Sequence, residues 1–373
     1  MIYLDSAATT FRKPQTVRAA VLRAMQTMSS PGRGGYRSAR TAEEQLYRTR
    51  SLAAEMFGVP SPERVVFTTS ATHGLNIAIK SLVPQGGRVI VSGWEHNAVT
   101  RPLHALGAEL SVAASPLFDD AACVRAFQKS LRRSADAVVC TTASNVFGYI
   151  LPIEEIAALC RRAGVPLIVD ASQSAGVLAL DMTALGAAFV AMPGHKGLYG
   201  PQGTGLLLCG AEARPLIEGG TGSASLQQEM PDFLPDRLEA GTHNVPGIAG
   251  LEAGMRFVAQ KTPERILRHE RRLIQRAAAG LSRMDGATAY AAEDERRQLG
   301  VLSFTLEGRE PEEVAEALAQ RGVAVRAGLH CAPLAHRSAL TQEQGTVRVS
   351  VSAFDSEAEI DGFLRALRGI LRP

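Results

Sequence analysis

Short runs of β-branched and apolar residues alternate with stretches whose apolar positions recur every three or four residues. Val65-Val66-Phe67-Thr68, Arg88-Val89-Ile90-Val91-Ser92, Ala137-Val138-Val139-Cys140-Thr141, Pro166-Leu167-Ile168-Val169-Asp170 and Phe189-Val190-Ala191-Met192 read as strands. Continuous apolar runs of this kind suit strands covered on both faces, as in a mainly parallel sheet. Between them, the segment opening at Pro14 places Val17, Val21, Met25 and Met28 on one helical face. The segment after Pro152 places Ile153, Ile156, Ala157 and Cys160 at helical spacing. Proline in the first turn is an ordinary helix start. The alternation predicts an α/β sandwich.

Beyond about residue 255 the pattern changes. A charged helix over about 263–283 precedes a strand near Val301–Leu306, a helix near Pro311–Gln320, strands near Val323–Arg326 and Thr346–Ser352, and a last helix from Ser356. This reads as a smaller α+β domain. The expected division is a large domain over 1–255 and a small one over 256–373, with the first 30 or so residues free to pack against the small domain. No repeat or long polar linker separates the two parts, so close packing is expected.

The composition adds only bounds. The chain has 373 residues, is 46% hydrophobic and 21% charged, and carries a formal net charge of +3. So small and evenly spread a charge gives no reason to expect nucleic acid or a membrane surface as partner. The opening Met1-Ile2-Tyr3-Leu4-Asp5 has no basic segment ahead of an apolar run, so no secretory signal is expected. There is also no apolar stretch of about 18 residues to span a membrane. The cysteines, at 123, 140, 160, 209 and 331, are scattered, odd in number and without a CxxC pair. That disfavours a disulfide framework or a cysteine zinc site and fits a reducing cytoplasmic setting.

Asp170 closes a predicted strand and is followed by Ala171-Ser172-Gln173. Ligands of open α/β sheets sit beyond the carboxyl ends of strands. A carboxylate there can hold a protonated ring nitrogen, as pyridoxal cofactors require, and Gln173 can donate to the ring's phenolic oxygen. Asp170 could equally cap the next turn. Lys196 lies in the bent, glycine-rich loop PGHKGLYGPQGTG (193–205), just after a strand. It is either a solvated loop lysine or a partly desolvated amine able to form a Schiff base, with His195 as a candidate phosphate contact. In TTSATHGLNIAI (68–79), a strand joins a helix. Ala71 and Thr72 can approach an anion there, while Thr69, Ser70 or Thr72 can simply cap the helix. His96 follows another strand, and is either structural or a ring stacked on a cofactor that handles protons near neutral pH.

RAGLHCAPL (326–334) sets Arg326, His330 and Cys331 within six residues. Arginine grips a carboxylate through two parallel hydrogen bonds, and a cysteine beside a histidine and an arginine is a candidate thiolate nucleophile. The alternative is a buried structural cysteine. Arg348 alternates with valines in TVRVS and so faces away from them, as a second carboxylate ligand or a structural contact.

Together these segments resemble the cysteine desulfurase and selenocysteine lyase group of PLP-dependent class V aminotransferases. The order is YLDSAATT (3–10), GRGGYRSA (32–39), EHN (95–97), SNVFG (144–148), VDASQSAG (169–176), HKGLYGPQGTG (195–205), EAGTHN (239–244) and RAGLHC (326–331). Tyr36 stands where the family commonly has histidine, and Pro193 where serine often precedes Gly-His-Lys. The resemblance implies an aspartate-aminotransferase-like (fold type I) structure with pyridoxal 5'-phosphate (PLP) on Lys196. It implies cofactor contacts from Ala71, Thr72, His96, Asn145, Asp170, Gln173 and His195, and substrate contacts from Asn145, Arg326 and Arg348. Gly241 and Thr242 would reach the phosphate of a neighbouring subunit, implying a homodimer.

The activity this implies is a cysteine desulfurase: Lys196 removes the α-proton, His96 is the acid–base partner, and Cys331 accepts the sulfur as a persulfide while alanine leaves. A sulfur-acceptor protein is a candidate partner. The alternatives are a selenocysteine lyase, another PLP activity such as transamination or racemisation, and a scaffold or sulfur-relay protein with little catalysis of its own.

Overall fold

A computed structural model describes residues 1–32 and 34–371. In chain order its elements are β1 (Ile2–Tyr3), α1 (Gln15–Thr27), α2 (Arg37–Met56), β2 (Val65–Thr68), α3 (Ala71–Leu82), β3 (Arg88–Ser92), α4 (Asn97–Ala105), β4 (Glu109–Ala113), α5 (Asp120–Ser130), β5 (Ala137–Thr141), α6 (Ile153–Ala163), β6 (Leu167–Asp170), α7 (Met182–Leu185), β7 (Phe189–Pro193) and β8 (Gly205–Cys209). Then come α8 (Val245–Lys261), α9 (Pro263–Leu281), β9 (Ala287–Tyr290), β10 (Val301–Leu306), α10 (Pro311–Gln320), β11 (Val323–Ala324), β12 (Arg326–Gly328), α11 (Pro333–Ser338), β13 (Thr346–Ser350) and α12 (Glu357–Leu371).

The five apolar runs read from the sequence all become strands of a seven-stranded sheet, ordered β2-β8-β7-β6-β5-β3-β4. Pairing from β7 through β4 is parallel, and β8 runs antiparallel to both its neighbours. β2, β5, β6, β7 and β8 are buried along their whole length, which is why they lack alternation. β8 lies directly behind the glycine-rich loop and is short. β4 is a largely exposed edge strand. Neither gave a separate sequence signal.

The second sheet, β12-β13-β10-β9, is antiparallel. It encloses its own apolar cluster with Leu273, Ile274, Phe304, Val347, Val349, Phe363 and Leu367. β1 pairs with β11 in parallel, Ile2 opposite Val323, and Leu4 joins this cluster. The strand expected near Val323–Arg326 is two strands, because the chain changes partners there: Val323–Ala324 follows β1 and Arg326–Gly328 follows β13.

The buried face of α1 also differs from the expected one. Val17, Ala20 and Ala24 are buried, whereas Met25 is 69% exposed. α1 packs on α8 through a small-residue seam of Ala20, Ala24 and Ala249. A Cβ on Gly250 would meet Val21 Cγ2 at 2.8 Å. The two backbones approach too closely for large apolar side chains to mark the contact face.

One buried polar cluster fixes the loop after β8's long excursion. Arg50 of α2 donates to both oxygens of Glu239, at 2.8 and 2.5 Å, and stacks 4.2 Å over the Phe67 ring. Glu239 also accepts from the Phe67 N–H at 2.6 Å and contacts His243 Nε2 at 2.5 Å. Removing one member of a buried ion pair strands the other charge. Arg50→Ala should therefore lose about 3–5 kcal/mol in urea unfolding, whereas Arg276→Ala, which removes the exposed pair with Asp361, should leave the midpoint unchanged. An Arg50→Ala midpoint equal to the parent's would contradict this assignment.

Candidate active site

The carboxyl ends of β5, β6 and β7 and the loops after β3 and β7 converge on one place. Asp170 ends β6, and its Oδ1 accepts from the Ser172 N–H at 2.9 Å, so it caps the following turn and still sits among the other candidates. Lys196 follows β7. It keeps part of its surface open, but its ammonium lies deep in the protein. Loss of water pushes its pKa down to about 8; Asp170 and Asp5 oppose that shift, and Arg348 and Arg326 add to it.

The peptide between His195 and Lys196 is held by the N-terminal segment. The His195 carbonyl accepts from Thr10 N–H at 3.1 Å, Thr10 Oγ1 at 3.0 Å, Thr9 Oγ1 at 3.3 Å and Lys13 Nζ at 2.9 Å. Burial lowers the Lys13 pKa to about 8. Gln173 Nε2 donates to the carbonyl of Ala7 at 3.1 Å, in the same segment. None of Thr9, Thr10 and Lys13 stood out in the sequence, although all but Lys13 belong to the YLDSAATT stretch.

Ser70 is the cap of α3, accepting from His73 N–H at 3.2 Å, so Ala71 and Thr72 head the helix with backbone N–H groups available to an anion. A Cβ on Gly205 would meet Ser70 C at 2.9 Å and Thr68 Oγ1 at 2.8 Å. That position must be glycine for the strand to lie behind this helix start. His195 Nδ1 is buried without a hydrogen-bond partner among the described residues. Burial lowers the His195 pKa to about 4, and the Lys196 and Lys13 charges add to the effect. Gly241 has a left-handed backbone, φ 95°, and Thr242 beside it is exposed. Arg33, in GRGGYRSA, lies outside the described residues.

His96 is the N-cap of α4: its Nδ1 accepts from the Ala98 N–H at 2.9 Å. That bond commits the Nδ1 lone pair and leaves the ring proton on Nε2. Desolvation lowers the His96 pKa, with Asp170 opposing and Lys196, Arg326 and Arg101 adding to the fall. The neutral ring is therefore a donor at Nε2. Beneath it, burial raises the Glu95 carboxyl to about 8, against hydrogen bonds from Ser92 and Thr141. At neutral pH Glu95 carries its proton and adds no negative charge beside Asp170.

The Cys331 loop is docked against these elements from the second sheet. Asn97 N–H donates to the Cys331 carbonyl at 2.7 Å, and Asn145 Nδ2 donates to the His330 carbonyl at 2.8 Å. His330 and Cys331 both have left-handed backbones, φ 51° and 56°, a costly conformation for residues with a Cβ. It turns the two side chains apart. Cys331 is exposed, whereas His330 is buried and stacked on His336 at 5.7 Å. Burial, with Arg348 next, drives the His330 pKa far below its ordinary value. His330 is thus a neutral core histidine, and its place beside Cys331 in sequence does not make it a charged partner of the thiol.

Arg326 and Arg348 are directly opposite on β12 and β13, hence on one face of the small sheet. Arg348 is buried, donates to the Asn145 carbonyl at 2.9 Å, and pairs with Asp5 Oδ1 at 2.6 Å. The structure thus brings Lys196, Asp170, His96, Asn145, Arg326, Arg348 and the Cys331 loop to one site. The features fit PLP: a desolvated amine, a carboxylate at a strand end, a helix start for the phosphate, and a buried His195 Nδ1 with no partner among the described residues.

Comparison with known proteins agrees with this geometry. The family described as Aminotransferase class-V matches residues 2–363. A probable cysteine desulfurase of Mycolicibacterium paratuberculosis is 34% identical over 99% of this chain, which spans 55% of that protein's length. One of Methanothermobacter thermautotrophicus is 32% identical over 96% of this chain and 92% of its own length. The apo cysteine desulfurase of Thermococcus onnurineus NA1 superimposes with a TM-score of 0.90 at 28% identity, covering 100% of this chain and 94% of that one. The chain belongs to the class-V aminotransferase family, whose members use pyridoxal phosphate.

Proposed function

We propose that the protein is a PLP-dependent cysteine desulfurase, converting cysteine to alanine and leaving the sulfur on Cys331 as a persulfide. The observation that carries the reading is an exposed cysteine on a loop bonded to Asn97 and Asn145, next to His96, which feels the charge of the desolvated Lys196. Relatives and structural neighbours named as cysteine desulfurases along the whole chain support it.

PLP supplies an aldehyde to which an amine can be joined and a ring that draws electrons from the adjacent carbon. Lys196 Nζ, kept largely free of its extra proton above pH 8, would hold the cofactor and could take the substrate's α-proton. Asp170 would balance positive charge at the ring nitrogen. Ala71 and Thr72 N–H and His195 would hold the phosphate. Arg326 and Arg348 would bind the substrate carboxylate, with the Asn145 carbonyl steadying Arg348 Nη1. His96 would donate from Nε2; acting as a base would require release of its cap on Ala98. Cys331 Sγ forms a bond to the substrate sulfur as the carbon–sulfur bond breaks. The carbon ends with one more hydrogen, replacing the one lost by the Cys331 thiol, and alanine departs.

The active form is proposed to be a homodimer, with Gly241 and Thr242 completing the partner's phosphate site. Support comes from the apolar side chains a single chain leaves in water just before that loop: Leu226 is fully exposed, Ile217 and Phe233 about half. Sedimentation should show a dimer at assay concentration; a fully active monomer would remove this part of the reading.

Cys331→Ala should retain cofactor and bind cysteine as the parent does, because no contact of Lys196, Asp170 or Arg348 depends on the thiol. Sulfide release in the presence of a reductant should fall by roughly 100-fold or more, since covalent transfer needs the nucleophile. Parent-rate sulfide release by Cys331→Ala under saturating cysteine would show that another group accepts the sulfur.

A further inference from the structure

Arg348 and Asp5 stand 343 residues apart in sequence and meet in the site. The arginine side chain is 2% exposed, the aspartate 19%. Of the guanidinium donors, Nη1 reaches the Asn145 carbonyl at 2.9 Å and Nη2 reaches Asp5 Oδ1 at 2.6 Å, while Nε is buried without a partner among the described residues. Nε and Nη2 lie on one edge of the planar group. That edge is the fork a carboxylate grips with both oxygens. Asp5 fills half of it.

The backbone explains the half-grip. Asp5 is tethered on both sides, to β11 and to β13: Leu4 N–H donates to Ala324 O, Ser6 N–H to Ser350 O, and Ala7 N–H to Ser350 Oγ. Tyr3 OH donates to the carbonyls of Asp5 and Thr9, closing the turn. A carboxylate held so cannot slide to engage Nε as well, whereas a free one can. Arg326 lies opposite Arg348 in register, so two guanidinium groups share the face that Asp5 meets, and like charges placed directly opposite disfavour each other. Asp5 is the more exposed partner, with solvent to turn toward.

We propose that Asp5 is a resident counter-carboxylate: it holds Arg348 in the substrate-free protein and yields that edge to the α-carboxylate of the amino-acid substrate. This rests on the reading of the site as one for an α-amino acid. Asp5 sets the substrate's apparent affinity by competing for Arg348, and so keeps the buried arginine paired when the site is empty. Because its segment continues to Ala7 on Gln173 and to Thr9, Thr10 and Lys13 on the His195 carbonyl, its release is felt as loosening of that strap.

The test uses the PLP-loaded protein, with L-alanine as a sulfur-free amino acid and ethylamine as the same skeleton without its carboxylate, each titrated by the change in cofactor absorbance. Asp5 also acts on Lys196, an effect both amines share, so the readout is the ratio of the two affinities. Asp5→Asn should raise the preference for L-alanine over ethylamine about tenfold above the parent's, the worth of one charged hydrogen bond no longer in competition. An unchanged or lower ratio in Asp5→Asn would overturn the proposal while leaving the amino-acid site intact. A parent that responds to ethylamine but never to L-alanine would remove the amino-acid reading itself, and the proposal with it. Hydrogen exchange on the parent gives a variant-free check should Asp5→Asn not fold. The amides of Ser6, Ala8 and Thr9 should exchange several-fold faster with saturating L-alanine; unchanged or slower exchange would contradict displacement.

Discussion

Taking the Lys196 amine out of water is the constraint around which the site is organised. An ammonium loses strong hydration when buried, so burial favours the neutral amine, and the pKa falls to about 8. A neutral amine is the nucleophile that joins an aldehyde, and it is also the base that can receive a proton. Asp170 and Asp5 hold the shift in check, while Arg348 and Arg326 extend it. The amine is useful only if it stays in place, and its own backbone is fixed from outside the glycine-rich loop. Four donors from Thr9, Thr10 and Lys13 converge on the carbonyl just before it. The first thirteen residues thus hold the backbone before Lys196 although they begin as a strand paired with β11.

The second feature is a cysteine on the loop after β12 that docks against the start of α4 without being buried. Two hydrogen bonds, from Asn97 and Asn145, dock the loop, and two consecutive left-handed residues turn His330 inward and Cys331 outward. Left-handed conformations in residues with a Cβ persist only where surrounding contacts impose them. Here those contacts are the stacked His330–His336 pair beneath and the start of α4 above. An accessible sulfur is what the proposed persulfide role would require, because the sulfur must then be passed on.

Much of the architecture could be read from the chain because buried parallel strands write themselves as apolar runs. Asp170 and Lys196 stood out for a related reason: polar residues directly after such runs lie where ligands bind. Cys331 stood out by its neighbours, yet one of those neighbours misled, since His330 is a neutral core residue rather than a partner of the thiol. The tautomer of His96 was out of reach, being set by an N-cap bond to Ala98 that only the fold creates. So was the Asp5–Arg348 pair, whose members are near opposite ends of the chain. The α1 seam was misread because alanine and glycine allow helices to approach closely, and periodicity counts large apolar residues as the buried face.

The most direct measurement of the central claim is the pH dependence with which cofactor-free protein captures PLP. The free amine reacts and the ammonium does not, so a lysine lowered to about 8 should react faster as pH rises through 8 and level off above about 9, rather than climbing toward the ordinary lysine value near 10.4. Borohydride reduction of the product should place the label on Lys196. A rate still rising steeply at pH 10, or a label on another lysine, would contradict the account.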